Sequence, residues 1–448
     1  MKMLKINIPV EVQYILDKLN NKGFEAYIVG GCVRDSFMKR LPNDWDVTTS
    51  ALPEQILEVF IYEKTIETGK KFGTITVIKN SNPIEITTFR AESEYKDNRR
   101  PEKIEFKKDI KEDLKRRDFT INAIAYNPNT GIIDPFGGKE DIRKRVIRSV
   151  GNPKERFLED ALRILRAIRF STQLGFNIEV NTYKSIINLK KKLESISKER
   201  IRDEFFKILL SPKPSVGIRL LVDTGLIHYI VPEIVESVDF NQHNPHHDKN
   251  VFDHILCVVD NSPRTIENRL SAFLHDIAKP HTFSIDDKGI GHFYNHQKKG
   301  SELSKDILKR LNISKKLINT VSVLVKEHMI GHNEFSNKGL KRLINRVGKD
   351  DIFKLLDLMR ADIKCTNHSE DVENINKLEK RIIHILNKKQ PMSTKDLQIN
   401  GYDLIDLGIP KGPQIGKILN ILLEYVLEDE SLNTREKLLD IVENIKGD

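Results

Sequence analysis

The pattern of hydrophobic and polar positions changes near residue 150 of the 448-residue chain. Before that point, short segments alternate β-branched and polar residues as half-buried strands do: EAYIV, WDVTTS, FGTITVIK and IEITTF. Beyond it, hydrophobic residues recur with the period of helices, as in ERFLEDALRILRAIRFSTQL, SKERIRDEFFKILL and DIFKLLDLMRADIK. The sequence therefore predicts an α+β fold, in which a small mixed-sheet head precedes an extended all-α body.

Polar stretches between these segments indicate where domains meet. The histidine-rich FNQHNPHHDKN and the polar NKKQPMST both interrupt the helical pattern. A chain of this length also favours roughly two to four domains over a single core. We expect four parts, which are a head at 1–150, a helical neck at 151–240, a helical domain at 241–385 and a helical tail at 386–448.

Composition and charge are compatible with a phosphate-rich partner. Lys and Arg number 74 against 65 Asp and Glu, which gives a net charge of +9. Clustered on one face, such an excess suits RNA. No apolar run is long enough to span a bilayer, and the N-terminus is too polar for a signal peptide. We therefore expect a cytoplasmic protein without a membrane partner.

The three cysteines are Cys32, Cys257 and Cys365, and they lie far apart in the sequence without CxxC spacing. This distribution is typical of thiols in a reducing compartment. It indicates neither a disulfide framework nor a zinc site. All three cysteines are therefore predicted to be free.

Asp44 and Asp46 flank the chain's only tryptophan in NDWDVTTS. Residues two apart in a strand point to the same face, so both carboxylates would project together while Trp45 points the other way. Two carboxylates that close repel each other unless a cation lies between them. Mg²⁺ prefers carboxylates together with phosphate oxygens, an arrangement that serves metal-assisted phosphoryl transfer. For the DxD tripeptide alone, a solvated surface strand remains the alternative.

The surroundings of this pair favour the metal interpretation. Gly30 and Gly31 follow the strand AYIV and precede a helix, where backbone N–H groups can approach a triphosphate. Glu85 in PIEITTFR is the best third carboxylate, because its strand would turn the flanking isoleucines to the core. Asp97 and Asp113 are weaker candidates, since both lie in predicted loops.

The order of the motifs resembles a known family. A GG pair followed by DxD on the next strand is the signature of the polymerase-β-like nucleotidyltransferases. The longer series falls within residues 28–204 and is similar to bacterial class II CCA-adding tRNA nucleotidyltransferases: VGGCVRD with NDWDVTTS, EITTFRAESEYKDNRRPEKIEF, DLKRRDFTINAIAY, DPFGG, EDALRILRAIRF and SKERIRDE. The resemblance implies transfer of CMP and AMP from CTP and ATP to the 3′ end of tRNA, with Mg²⁺ and without a nucleic-acid template.

The resemblance also implies roles for individual residues. Asp44 and Asp46 would hold Mg²⁺, and RRDFTINA would begin a helix whose arginines contact phosphate and whose Asp118 contacts the ribose. An ordinary helix start capped by Asp118 is the alternative for that motif. The expected catalytic residues are Asp44, Asp46 and Glu85. The expected nucleotide-binding residues are Gly30, Gly31, Arg34, Arg116, Arg117, Asp118, Asn122, Asp160, Arg163, Arg166 and Arg169.

Selection of the base is predicted for EDALRILRAIRF. Asp160 and Arg163 stand three apart on a predicted helix and share a face. Leu158, Leu162 and Leu165 would turn to the core. Aspartate accepts hydrogen bonds and arginine donates them, so the pair matches cytosine and adenine and leaves uracil and guanine unpaired. The resembling family assigns this role to the matching residues.

The charged segment ESEYKDNRRPEKIEF at residues 92–106 predicts a mobile surface loop. In the resembling family, a loop here accompanies the switch from adding C to adding A, and its full length favours addition of the terminal A. Three alternatives stay open: an enzyme that adds only A, a bacterial poly(A) polymerase built on the same head, and an RNA-binding regulator with a decayed site.

A histidine-rich region follows the neck. His254, the dipeptide His275-Asp276 and Asp362 occur in the order of the HD phosphohydrolase superfamily, which they resemble. Imidazole and carboxylate ligands suit a second divalent ion, a transition metal that activates water on a phosphoester. The alternatives are a fold kept for structure alone and a hydrolase in which this site does the chemistry. Two more histidines of the region are His296 and His328.

Overall fold

A computed structural model describes residues 6–96, 100–243, 249–329, 335–366, 372–388 and 391–447. The chain divides into two compact units, Met1–Pro232 and Glu233–Asp448. The first contains a mixed sheet and the second is mainly helical, which confirms the α+β prediction. Within the described residues, none of the helices is both long enough and apolar enough to cross a membrane.

Seven strands of the first unit form one mixed sheet. The strands of this unit before residue 140 are β1 (Ala26–Val29), β2 (Asp46–Thr49), β3 (Lys64–Ile66), β4 (Thr74–Lys79), β5 (Asn82–Thr88), β6 (Arg90–Lys96), β7 (Arg100–Phe106), β8 (Ala125–Asn127) and β9 (Gly131–Ile133). The sheet order is β3-β4-β5-β2-β1-β8-β9. Only the β2–β5 pair is parallel among these described ladders. The four strands predicted from alternation correspond to β1, β2, β4 and β5.

Both faces of the sheet are covered, because successive strand residues point in opposite directions. The helices around it are α1 (Val10–Asn21), α2 (Gly31–Phe37), α3 (Pro53–Val59), α4 (Ile110–Lys115) and α5 (Gly138–Lys144). Ile28 packs with Leu16 of α1 in one buried cluster. The next strand residue, Val29, packs with Phe89 and Leu114 in another. The central strands are therefore held from both sides.

The rest of the first unit is a helical layer. It contains α6 (Pro153–Glu159), α7 (Leu162–Leu174), α8 (Val180–Leu189), α9 (Lys198–Leu209) and α10 (Pro214–Asp223), with the short parallel pair β10 (Val146–Ile147) and β11 (Asn177–Ile178). Helix α10 approaches α7 and α9 closely at Gly217. A Cβ atom there would lie 2.4 Å from Oγ1 of Thr172 and 2.6 Å from Cγ2 of Ile208. Glycine is required at this contact because no larger side chain fits.

Over its described residues, the second unit is built from helices with one small hairpin. Its elements are α11 (Val251–Asn261), α12 (Ile266–Leu274), β12 (Phe283–Ile285), β13 (Gly291–Phe293), α13 (His296–Arg310), α14 (Lys315–Glu327), α15 (Asn337–Val347), α16 (Ile352–Lys364), α17 (Val372–Asn387), α18 (Gly401–Asp406), α19 (Pro413–Glu428) and α20 (Arg435–Gly447). The last three helices share a buried cluster that includes Leu404, Leu422 and Leu438. The helices of this unit therefore agree with the helical periodicity of its sequence.

The segment at residues 92–106, which was predicted to be a surface loop, contains two paired strands. Strands β6 and β7 pair as an antiparallel hairpin, with Glu92 opposite Ile104 and Lys96 opposite Arg100. Cross-strand hydrogen bonding can order a polar segment that lacks a hydrophobic pattern. Asp97 lies outside the described residues.

The prediction of three free cysteines is wrong. Cys257 of α11 and Cys365, which follows α16, form a disulfide with their Cα atoms 5.9 Å apart. The pair is separated by 108 residues, but α11 and α16 pack side by side. Sequence spacing does not reveal that contact. Cys32 is a free, buried thiol, and burial raises its pKa to about 11.

Candidate active site and a second ligand cluster

Three exposed carboxylates lie where β2 and β5 run in parallel. Asp46 begins β2 and is paired in register with Glu85 of β5. Asp44 precedes the strand, which is shorter than the sequence predicted. Trp45 and Val47 pack against the core of the first unit, whereas the three acidic side chains are exposed. The predicted alternation is therefore present around the DxD motif.

The surroundings of Asp46 raise the pKa of its carboxyl group above the usual value. Enclosure of the carboxyl group by protein raises its pKa most, the guanidinium of Arg117 lowers it, and the carboxylates of Glu85 and Asp44 raise it further. A cation between the carboxylates would remove this repulsion. An oxygen-only donor set suits a hard divalent ion such as Mg²⁺, the kind of ion that nucleotidyltransferases use. The residues present therefore fit the expected metal.

The glycine pair forms the predicted turn between strand and helix. Gly30 follows β1 with φ at 83°, a backbone conformation that favours glycine, and Gly31 begins α2. A Cβ atom on Gly30 would lie 3.0 Å from Nη1 of Arg117. The absence of a side chain therefore leaves room for this guanidinium beside the backbone.

Arg116 and Arg117 follow the end of helix α4, whereas the sequence predicted a helix start. The helix begins after Asp109, whose side chain caps it, and its last residue is Lys115. Asp113 lies inside this helix and not in a loop, because it shares the buried face that packs on the sheet. Its fully buried carboxylate lies 2.8 Å from Nη2 of Arg116 and 3.4 Å from Nη2 of Arg117. Asp113 therefore holds two arginines and is not exposed to a metal.

A hydrogen-bonded chain connects four of the predicted nucleotide-binding residues. Nε of Arg166 donates to Oδ2 of Asp118 at 2.8 Å, and Nδ2 of Asn122 donates to Oδ1 at 3.1 Å. Nη1 of Arg34 donates to Oδ1 of Asn122 at 2.8 Å. Burial raises the pKa of Asp118, but the charge of Arg166 outweighs it and holds that pKa at about 2. This carboxylate is therefore ionised at neutral pH.

The guanidinium groups of three arginines lie close to the ring of Phe170 in α7, a feature that the sequence did not reveal. The guanidinium carbons of Arg34, Arg166 and Arg169 lie 5.3, 5.4 and 4.2 Å from its ring centre. Such contacts orient the guanidinium groups. Arg169 also lies 3.2 Å from Glu204, and burial lowers its pKa to about 10. Aromatic positions within an arginine-rich helix would have been the signal.

A cavity of about 280 Å³ opens among these residues. Its lining contains five arginines and two aspartates, which makes it strongly positive. The lining residues are Arg116, Arg117, Asp118, Asp160, Leu162, Arg163, Arg166 and Arg200. The structure thus brings six predicted nucleotide-binding residues to one cavity. Leu162 and Arg200 also line it, although neither was predicted to bind nucleotide. Its charge and hydrogen-bonding groups suit an anionic ligand with polar edges.

The single helix predicted for EDALRILRAIRF is interrupted. Helix α6 ends at Glu159 and α7 begins at Leu162, with Asp160 in an extended conformation between them. Oδ1 of Asp160 accepts a hydrogen bond from the backbone N–H of Leu162 at 3.1 Å, as aspartates do at helix starts. The break also leaves Leu158 exposed, although it was predicted to face the core.

Asp160 and Arg163 therefore do not share a helix face, yet both line the cavity. Asp160 lies 3.1 Å from Nη2 of Arg200, and Arg163 lies 2.7 Å from Glu159. Arg163 also donates to the backbone carbonyl of Arg116 at 2.8 Å. Glu159 and Arg200 are partners that sequence reasoning missed, although both occur in motifs that it singled out.

In the second unit, four predicted ligands converge. Nε2 of His254 lies 2.9 Å from Oδ1 of Asp362 and 3.4 Å from Nε2 of His275. Nε2 of His275 lies 3.2 Å from Oδ2 of Asp276. The His275-Asp276 dipeptide follows the last helical residue of α12, Leu274. His254, His275 and Asp276 are buried, and Asp362 of α16 is mostly buried.

His296 and His328 complete this cluster from two further helices. Their Nε2 atoms lie 3.4 Å apart, and they approach Oδ1 of Asp276 to 3.3 and 3.8 Å. Burial, followed by the charges of His275 and His296, lowers the pKa of His328 to about 3. No spacing in the sequence indicates that these two histidines lie with the four predicted ligands.

The carboxylates of the cluster are ionised. Burial would raise the pKa of Asp276, but the charges of His275 and Lys279 hold it well below its usual range. Burial acts in the same direction on Asp362, and the hydrogen bond and charge of His254 outweigh it. Imidazole nitrogens and carboxylate oxygens together fit a divalent transition metal.

Three family models match the chain, and they bear on its class. Residues 26–148 match the "Poly A polymerase head domain", residues 175–237 match the "Probable RNA and SrmB- binding site of polymerase A", and residues 293–442 match the tRNA nucleotidyltransferase domain 2. A mixed sheet with paired carboxylates, a glycine turn and an arginine-lined cavity agrees with these matches. The fold and site define a nucleotidyltransferase.

Full-length relatives specify the family. The CCA-adding enzyme of Ligilactobacillus salivarius is 33% identical over 451 residues, which cover 98% of each chain. That of Leuconostoc mesenteroides is 34% identical over 430 residues, covering 96% of this chain and 94% of that protein. The Bacillus stearothermophilus CCA-adding enzyme in complex with CTP has a TM-score of 0.73 at 27% identity, with 98% of both chains covered. The chain belongs to the family of CCA-adding enzymes.

Proposed function

We propose that this chain adds CMP and AMP from CTP and ATP to the 3′ end of tRNA, without a nucleic-acid template. The observation that carries the proposal is the pairing of Asp46 with Glu85, beside Asp44, in a unit that also holds the arginine-lined cavity. The substrates follow from family membership: full-length relatives are CCA-adding enzymes, and similar structures are complexes with CTP and with ATP. A tRNA substrate agrees with the expected cytoplasmic location.

Asp44, Asp46 and Glu85 would hold magnesium in the reaction. When bound, Mg²⁺ neutralises triphosphate charge and lowers the pKa of the attacking 3′-hydroxyl. The β2–β5 register pairs Asp46 with Glu85, and Asp46 is also paired with Val29 of β1, the residue directly before Gly30. The hydroxyl would attack the α-phosphate and release pyrophosphate.

The arginines would orient the nucleotide. Arg116 and Arg117 are aimed by Asp113 and would donate to phosphate oxygens. Asp118 and Asn122 would contact the ribose from the chain of hydrogen bonds that also includes Arg34 and Arg166. The remaining nucleotide-binding residues in the proposal are Gly30, Gly31 and Arg169.

Asp160 and Arg163 would read the base at the cavity wall. Their side chains offer an acceptor and donors, which match the amine and ring nitrogen of cytosine and adenine. Arg200 and Glu159 would hold the two side chains in position. In this proposal the head at 1–150 transfers the nucleotide and the neck at 151–240 reads the base. Two helical parts at 241–385 and 386–448 would contact tRNA or carry a second site.

The decisive experiment is to incubate purified protein, CTP, ATP and Mg²⁺ with tRNAs that lack CCA or that end in C or CC. Sequencing should show CCA completed on all three substrates. Addition of A to the CC end alone would support an A-only enzyme, and a long A tail would support a poly(A) polymerase. Asp44→Ala and Asp46→Ala should each abolish incorporation without unfolding the head, whereas the exposed Asp17→Ala should not. Retained incorporation in Asp44→Ala or in Asp46→Ala contradicts the metal assignment.

A second candidate function, metal-dependent phosphoester hydrolysis, is favoured by the convergence of His254, His275, Asp276 and Asp362 in the second unit. These four would bind the predicted transition metal. Release of phosphate from p-nitrophenyl phosphate, and opening of a 2′,3′-cyclic nucleotide, should require added Mn²⁺, Co²⁺ or Ni²⁺ and disappear in His275→Ala. Hydrolysis that survives in this variant would place the chemistry elsewhere.

A further inference from the structure

The side chain of Phe170 closes a network of hydrogen-bonded groups. Arg34 donates to Asn122, and Asn122 donates to one oxygen of Asp118. Arg166 donates to the other oxygen of that carboxylate. Both ends of this chain are guanidinium groups, and their carbon atoms lie 5.3 and 5.4 Å from the ring centre of Phe170. The four polar side chains and the aromatic ring, here called the Phe170 network, are therefore connected end to end.

The Phe170 network joins three separate segments of the first unit. Arg34 belongs to α2, which begins at the glycine turn. Asp118 and Asn122 lie between α4 and β8, and Arg166 and Phe170 are four residues apart on one face of α7. Two of the three hydrogen bonds span 88 and 48 residues of sequence. The position of each polar group in this network therefore depends on partners from other segments.

The ring of Phe170 attracts the guanidinium groups around it. The face of an aromatic ring is electron-rich, and a cation within about 6 Å of its centre is attracted, more strongly where water is excluded. Phe170 and Arg169 are each 7% exposed and Arg34 is 9% exposed, so little water competes. A leucine at this position would fill much of the same space without the electron-rich face. The chemistry of the ring therefore matters here, in addition to its volume.

Three positive charges near one ring repel each other. Burial lowers the pKa of Arg169 most, and the nearby charges of Arg34 and Arg166 lower it further. Carboxylates outside the network offset part of this repulsion: Asp35 lies 2.9 Å from Arg34, and Glu204 lies 3.2 Å from Arg169. Each of these carboxylates pairs with one arginine, whereas the ring contacts all three. The ring thus supplies an attraction that the three guanidinium groups share.

Phe170 also contacts the segment that carries Asp118. The ring of Phe119 lies 5.7 Å from that of Phe170 at an angle of 79°, an edge-to-face arrangement that aromatic pairs favour. The backbone N–H of Phe119 donates to Oδ1 of Asp118 at 2.8 Å. Phe170 therefore acts on the Asp118 carboxylate from two directions, through the side chain of Arg166 and through the backbone of Phe119.

We propose that Phe170 is a positioning residue of the nucleotide site, whose aromatic face fixes Arg34 and Arg166 and thereby holds Asp118 and Asn122 where they contact the ribose. The inference rests on the proposed transfer of nucleotides to tRNA. Among the described residues, those that line the cavity include Asp118 and Arg166 but not Phe170. Phe170 therefore acts through its neighbours, and its effect falls on binding and on discrimination between ribose and deoxyribose.

Fluorination of the Phe170 ring is the direct test. Phenylalanines with one, two or three ring fluorines, introduced at this position by nonsense suppression, weaken the electron-rich face in steps while ring size changes little. We expect KM for CTP to rise with each fluorine, by about fivefold for three. The preference for CTP over dCTP, measured as a ratio of kcat/KM, should fall by about the same factor because dCTP lacks the 2′-hydroxyl. A smaller change in kcat is expected, since the carboxylates proposed to hold Mg²⁺ are not moved.

The matched control is Phe89, a buried phenylalanine whose ring stacks on that of Tyr27 with ring centres 6.3 Å apart. The same three fluorinated residues at this position should leave KM and the CTP/dCTP preference unchanged. Phe170→Leu removes the aromatic face altogether and should raise KM for CTP about tenfold. Calorimetric titration of each variant with CTP and Mg²⁺, without tRNA, should give dissociation constants in the same order as the KM values.

The outcomes separate the inference from the proposal on which it rests. Incorporation by the parent protein, together with KM and CTP/dCTP preference that stay constant across the Phe170 fluorine series, overturns the inference and leaves nucleotide transfer intact. A parent that incorporates neither CMP nor AMP overturns both. Equal effects of fluorine at Phe89 and Phe170 also count against the inference, because they indicate a general loss of packing. Circular dichroism checks the fold, and the fluorine series decides the matter if Phe170→Leu does not fold.

Discussion

Asp46 and Glu85 occupy directly paired positions on two parallel strands, β2 and β5. Neighbouring strands lie about 4.8 Å apart, and side chains at paired positions project from the same face. The register therefore sets two carboxylates side by side, and the charge of Glu85 contributes to the raised pKa of Asp46. This relationship makes Glu85 the natural third ligand beside the DxD motif.

Removal of the Glu85 charge should disable the transfer of both nucleotides. We expect Glu85→Gln to lower kcat with CTP and with ATP by a similar factor of about 100 or more, because both substrates would use the same metal ligands. Glu85 raises the pKa of Asp46, so its loss lowers that pKa and should move the acid limb of any residual activity to lower pH. Steady-state rates over a pH series measure both effects. Glu58→Gln, an exposed carboxylate of α3, is the control, and a normal kcat in Glu85→Gln contradicts the assignment.

The sequence was most informative where a pattern is local. Alternation placed β1, β2, β4 and β5 and separated Trp45 from the flanking aspartates, because burial on one face constrains every second residue. It could not show that β2 and β5 are adjacent and parallel, since that pairing depends on residues far apart in the chain. The sequence also did not predict that Asp113 lies buried in helix α4. A charged residue is not expected in a buried position, and the burial of Asp113 is tolerated because two arginines pair with it.

The buried Asp113 should affect nucleotide binding indirectly. We expect Asp113→Asn to raise KM for CTP and ATP about tenfold, with a smaller change in kcat, because Arg116 and Arg117 lose the carboxylate that aims them. Loss of a buried partner should also destabilise the head by about 3 kcal/mol. Initial rates over a range of nucleotide concentrations separate the two parameters. Glu112→Gln on the same helix is the control, and an unchanged KM in Asp113→Asn would remove Asp113 from the binding apparatus.

Asp118 should make the stability of the head depend on pH. Its pKa is about 2 in the folded chain, against 3.8 for an ordinary aspartate. A carboxyl group whose pKa is lowered by folding stabilises the folded state at pH values above its pKa in the unfolded chain, here by up to about 2 kcal/mol. This stabilisation is lost as the pH falls through the pKa of the folded chain. The free energy of unfolding of Asp118→Asn should therefore lie below that of the parent near pH 7, and the gap should narrow between about pH 4 and pH 2. Urea unfolding followed by Trp45 fluorescence reports on the head, and a gap independent of pH would contradict the linkage.

The pair proposed to select the base, Asp160 and Arg163, lies at a helix break that the sequence pattern concealed. Hydrophobic residues continue at helical spacing through EDALRIL, so nothing in the periodicity indicates that Asp160 leaves the helix. The side chain of Asp160 competes with helical hydrogen bonding by capping the next helix. Its partner Arg200 comes from α9, and such long-range partners require the packed structure.

The pairs Asp160–Arg200 and Arg163–Glu159 should control fidelity. We expect Glu159→Gln and Arg200→Met to raise incorporation of UMP relative to CMP by about tenfold, because base-reading side chains that lose their partners can adopt other orientations. The ratio of kcat/KM for CTP and UTP on tRNA lacking CCA measures the effect. Arg143→Met, an exposed arginine of α5, is the matched control. Variants that lose activity equally with both nucleotides would indicate a role other than selection.

The disulfide gives a prediction that tests the packing of the second unit directly. Cys257 and Cys365 close a loop across 108 residues, and loops of this length are stabilised by about 4–5 kcal/mol when cross-linked. Denatured protein that has not been reduced should show one reactive thiol, that of Cys32. After reduction, the denatured protein should show three reactive thiols. In the native state Cys32 should remain unreactive, since it is buried and its pKa is raised to about 11. Three reactive thiols before reduction would refute the pairing.

The same bond should influence the metal cluster. Cys257 follows His254 by three residues on α11, and Cys365 follows Asp362 by three residues at the end of α16. The cross-link therefore lies one helical turn from two predicted ligands and holds their helices together. We expect Cys257→Ser/Cys365→Ser to unfold the second unit at lower temperature and to bind Mn²⁺ more weakly, by about tenfold, while CCA addition by the head is retained. Phosphine reduction of the parent should reproduce the loss, and the double variant should show no further change because its bond is already absent.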